Sequence, residues 1–62
     1  MVISHKGIMT LARKIAIREQ PDTFDQEKQC LLRAARIFIA PSEELAARFA
    51  DEHFEEFQRS FD

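Results

Sequence analysis

Residues 42–60 read SEELAARFADEHFEEFQRS. Ala46, Phe49, Ala50, Phe54 and Phe57 recur at steps of three or four, and Phe61 continues the row. That spacing places them on one face of an α-helix. The opposite face collects Glu44, Arg48, Asp51, Glu52, Glu55 and Arg59. Ser42 is suited to cap the helix, and Glu43 and Glu44 complement the positive end of its dipole. Glu44→Arg48 and Glu55→Arg59 are i,i+4 pairs in the favourable order, worth about 0.2–0.5 kcal/mol each. The segment predicts a helix over 42–60.

Working back towards the N-terminus, Pro41 disfavours helical backbone at Ala40 and separates this helix from the one before it. That second segment spans 23–39 and opens on Thr23-Phe24-Asp25-Gln26, the pattern of a capping box. Phe24, Leu31 and Phe38 recur every seven residues, and Cys30, Leu32, Ala34, Ala35, Ile37 and Ile39 widen the stripe. Only an arc of about 100° stays polar on the 3.6-residue wheel, holding Asp25, Gln26, Gln29, Arg33 and Arg36. A helix this apolar needs two neighbours or a partner subunit, so it is expected at the centre. Pro21 closes a first segment, 5–20, in which Ile8, Leu11, Ala12 and Ile15 mark an amphipathic face. Ser4 is its expected cap, and Gly7 weakens its first turn. The expected architecture is all-α, a compact three-helix arrangement in a single domain over residues 1–62. Its short connections make consecutive helices antiparallel neighbours.

A chain of 62 residues buries roughly 60% of its unfolded surface and is marginally stable alone. Such chains recruit disulfides, metals or a second subunit. Cys30 is the only cysteine, which excludes an intrachain disulfide and fits a reducing, cytoplasmic setting. It is expected to be a small buried hydrophobe. The longest apolar run, Ile37–Ala40, falls far short of the ~20 residues of a membrane span. Five of the six phenylalanines lie in the second and third segments and Phe61 directly follows the third, more than a small core readily hides. The surplus predicts an interface, with a homodimer as the expected form. Ile17, isolated among basic residues, points the same way.

Charge is divided along the chain. Residues 1–40 carry seven Lys/Arg against four acids, and residues 41–62 carry two against seven. An acidic helix behind a basic half implies internal charge matching or a docking surface. The expected function is therefore that of a non-enzymatic regulatory or adaptor protein binding another protein. Phe54, Phe57 and Phe61 would be its apolar anchors, and Glu52, Glu55 and Glu56 an electrostatic rim that acts on rate and partner choice. The alternative is a dimeric nucleic-acid-binding regulator using Lys6, Arg13, Lys14, Arg18, Arg33 and Arg36. Against it stand a pI of 5.6 and a first connection built on Pro21 and Asp22, where helix-turn-helix motifs often use Gly. No glycine-rich phosphate loop, CxxC pair or Ser-His-Asp order is present. His5 and His53 are far apart in sequence, so neither a metal nor another cofactor is expected. His53 is read as a half-buried histidine at the edge of the core.

Overall fold

A computed structural model describes residues 5–39 and 42–60. Three helices make up the fold: α1 (His5–Glu19), α2 (Phe24–Ile39) and α3 (Glu43–Arg59). Each expected boundary lies within one residue of the observed one, and the caps explain why. Ser42 adopts an extended backbone, and its Oγ accepts the Leu45 N–H at 3.3 Å. Thr23 Oγ1 accepts the Gln26 N–H at 3.2 Å. The return arm of this box differs from the usual form, because Gln26 Oε1 accepts the N–H of Asp22 at 2.7 Å, one residue upstream. Ser4, the expected cap of α1, lies outside the described residues.

α1 ends at Gln20, whose φ of 51° is left-handed and whose N–H donates to the Ala16 carbonyl at 2.7 Å. Glycine usually occupies this position, because a side chain there costs roughly 1–2 kcal/mol. Gln20→Gly is expected to raise stability by about 0.5–1 kcal/mol, the relieved strain less the added freedom of the unfolded chain. Urea unfolding would register this as a higher midpoint with an unchanged slope.

α2 is the central element, packed against α1 on one side and α3 on the other. The radius of gyration, 10.5 Å, equals the value of about 10.6 Å expected for a compact chain of this length. Among the described residues twelve apolar ones form the buried core, and six of them are alanines: Ala12, Ala16, Ala34, Ala35, Ala46 and Ala50. Ile8, Leu31, Cys30 and Phe57 are its largest fully buried side chains. Rows at four-residue spacing (Ile8-Ala12-Ala16, Leu31-Ala35-Ile39 and Ala46-Ala50) line the contacts, and their small side chains bring the helices close.

Two expectations about packing are corrected. On α1 the fully buried face is Ile8, Met9, Ala12 and Ala16, while Leu11 and Ile15 pack at its margin. The inward arc is rotated towards Met9, on the side where the start of α1 meets Glu56 and Ser60. On α2 the seven-residue row Phe24-Leu31-Phe38 is not a core stripe. Leu31 alone of the three is buried, and Phe24 and Ile37 are 71% and 66% exposed. The shared seam lies along Cys30, Leu31, Ala34, Ala35 and Ile39, which leaves the large side chains at the two ends of α2 facing outward.

Charges bind the surfaces together across helices. Lys28 pairs with Asp51, Arg36 Nε lies 3.7 Å from Glu43 Oε1, and Arg33 pairs with Glu19. Part of the division of charge along the sequence is therefore matched within the fold. All three pairs are exposed, so each contributes at most about 1 kcal/mol. None of the helices is long and apolar enough to cross a membrane among the described residues.

Candidate functional site

Of the expected anchors on α3, Phe57 is corrected outright. It is 0% exposed and is the largest fully buried side chain. Buried in the core, it has no surface to offer a partner. Phe54 is half-buried against the core, and its ring meets that of Phe24 edge-on at 6.4 Å. Phe61 lies outside the described residues. The sequence alone gave no means of separating Phe54 from Phe57, since both sit on the apolar arc and only the placement of the neighbouring helices decides between them.

The expected acidic rim is also divided. Glu52 and Glu55 are exposed, and Glu55 reaches Arg59 at 4.0 Å as the i,i+4 spacing anticipates. Glu56 turns the other way, towards α1. Its Oε1 lies 3.2 Å from Nε2 of His5 and 3.6 Å from Nδ1 of His53. The imidazoles themselves are close, with centroids 4.7 Å apart, and the Phe49 ring lies 4.4 Å from that of His53 and 5.6 Å from that of His5. His53 is half-buried as expected. The meeting of the two histidines is not legible in the sequence, because it depends on the axial register of α1 against α3.

The basic residues fall into two groups. Lys6, Arg13, Lys14 and Arg18 are exposed along α1. Arg33 and Arg36 are engaged by Glu19 and Glu43. Lys6 and Lys14 flank an open groove of about 610 Å³ between α1 and α2, whose apolar floor is Leu11, Ile37 and Phe38. Ile37 and Phe38 belong to the surplus apolar surface anticipated above, but they lie on α2 and not on the C-terminal helix.

Cys30 is buried, as expected. Burial pushes its thiol up from the ordinary value, and the carboxylate of Glu19 adds to the effect while Arg33 opposes it. At neutral pH it is a protonated, shielded thiol, unsuited to act as a nucleophile.

No protein-family model matches the chain, no curated protein matches it in sequence, and no solved structure matches it.

Proposed function

We propose that this is a small non-enzymatic regulatory or adaptor protein that works through protein–protein contact, as a homodimer joined across the α1/α2 groove. The observation that carries this reading is an inversion of side-chain size. Half of the buried core is alanine, while Ile17, Phe24, Ile37, Phe38 and Leu45 stand exposed. Ile37 and Phe38 gather with Leu11 in one groove, and apolar surface gathered in this way is characteristic of interfaces. The groove pairs apolar residues with Lys6 and Lys14, and the outer face of α3 carries Glu44, Glu52 and Glu55. An acidic helix face laid against a lysine-flanked apolar groove is complementary in charge, so a second copy of the chain supplies what the groove takes. The Phe24–Phe54 edge, with Glu52 and Glu55 nearby in sequence, remains for a further partner.

Sedimentation equilibrium tests the reading. The expected mass is twice the 7.3 kDa of the chain, returning to the single-chain value in an Ile37→Ser/Phe38→Ser double variant of unchanged helicity. A wild-type chain that stays monomeric across the concentration range overturns the homodimer. The second reading, nucleic-acid binding, draws on the exposed row Lys6, Arg13, Lys14 and Arg18. It is weakened by the engagement of Arg33 and Arg36. Retention of DNA or RNA that falls steeply with salt would favour it.

A further inference from the structure

We infer that His5, His53 and Glu56 form a binding site for one transition-metal ion of the zinc type, which clips the start of α1 to α3. The inference is independent of the homodimer. One ligand atom from each residue lies within 4.8 Å of the other two. Bonds of about 2.0–2.2 Å in tetrahedral geometry place neighbouring ligand atoms about 3.3–3.5 Å apart. The separations of Glu56 Oε1 from His5 Nε2 and His53 Nδ1, 3.2 and 3.6 Å, bracket that spacing. A small rotation of the two rings, closing the third side of the triangle, completes three corners of the tetrahedron.

The chemistry of the donors selects the ion. Two imidazoles with one carboxylate suit zinc, and also copper or nickel, whereas magnesium and calcium prefer oxygen throughout. The placement is built by the fold. His53 and Glu56 are at i,i+3 on α3 and so share a face, and His5, the first residue of α1, reaches across to them. The Phe49 ring covers the imidazoles from one side. On the other side lies a recess of about 210 Å³, to which Lys6, Met9, Arg13 and Ser60 contribute with His5 and Glu56. The fourth corner opens there and admits water. One such ligand cluster is found among the described residues, which sets the stoichiometry at one ion per chain.

An ion at this place adds a direct link between the first helix and the last. α2 separates the other helices along most of their length, and the large packing surfaces of the fold are α1 with α2 and α2 with α3. A bond from His5 to α3 closes the third side.

The test is a zinc titration of the full chain by calorimetry, with stoichiometry from native mass spectrometry. Expected are one ion per chain and, at a free zinc concentration about 100-fold above the dissociation constant, a rise in melting midpoint of about 10–20 °C. His5→Ala, His53→Ala and Glu56→Gln should each weaken binding by at least the 10–100-fold that even an outer-shell partner is worth. All three residues are at least partly exposed, and circular dichroism checks that the variants keep their helices. Cobalt provides a readout without any variant, since the wild-type chain should give the intense visible absorption of tetrahedral Co²⁺. No saturable binding, half an ion per chain, a six-coordinate cobalt spectrum, or undiminished affinity in the His5→Ala chain would each overturn the assignment. Equal competition by magnesium would do so too.

Discussion

Phe57→Ala is expected to leave the chain largely unfolded at room temperature. Removing a buried phenylalanine costs about 3–5 kcal/mol, through the lost transfer of its ring and the cavity left behind. A chain of 62 residues has about 3–9 kcal/mol to lose in total. Collapse of the cavity would soften the loss, but the neighbours here give little help. Half of the buried residues of the described core are alanine, and alanine has no rotamer with which to fill a void. The loss should therefore fall at the upper end of the range. Far-ultraviolet circular dichroism against urea measures it, and a variant retaining most of the wild-type stability would contradict the placement of this ring at the centre of the fold. Phe54→Ala provides the contrast. Phe54 is half-buried at the edge of the core, so it loses less transfer energy and leaves no closed cavity.

Ala50→Leu carries the second large effect, in the opposite sense of volume. Ala50 is 0% exposed on the α3 seam. A leucine there forces side chains off their rotamers or α3 away from its neighbours, at about 1–3 kcal/mol. Helix propensity does not confuse the measurement, since alanine and leucine are the two best helix formers. Ala47→Leu is the internal control, three positions earlier on the exposed face of the same helix, and is expected to change stability by no more than about 0.5 kcal/mol. Equal stability of the two variants would show that the alanine seam is loosely packed.

The parts of the fold written locally were legible in the residues. Ser42, Thr23, Pro21 and Pro41 act on the backbone beside them, so the helix boundaries could be read without knowing the tertiary structure. The central position of α2 followed from the width of its apolar arc. The choice of which apolar residues turn inward was not legible. Phe54 and Phe57 lie only about 60° apart on a helical wheel, and Met9 and Leu11 sit on opposite flanks of one apolar arc, so a rotation of a few tens of degrees decides which of each pair is buried. That rotation is set by the fit of the alanine rows between helices, a property of pairs of elements. The convergence of His5 with His53 and Glu56 is of the same kind. Spacing rules find His53 and Glu56 together, and only the assembled fold adds His5.

The position of α2 between its two neighbours has a kinetic consequence. Both large packing surfaces join helices that follow each other in the chain, across connections of only a few residues. Assembly therefore proceeds chiefly through two short hairpin closures, which keeps the entropy of loop closure small at each step. Folds dominated by such local contacts form in microseconds to milliseconds. The chain can thus reach its native arrangement quickly, with little time for core side chains such as Ile8, Leu31 and Phe57 to find an unrelated surface.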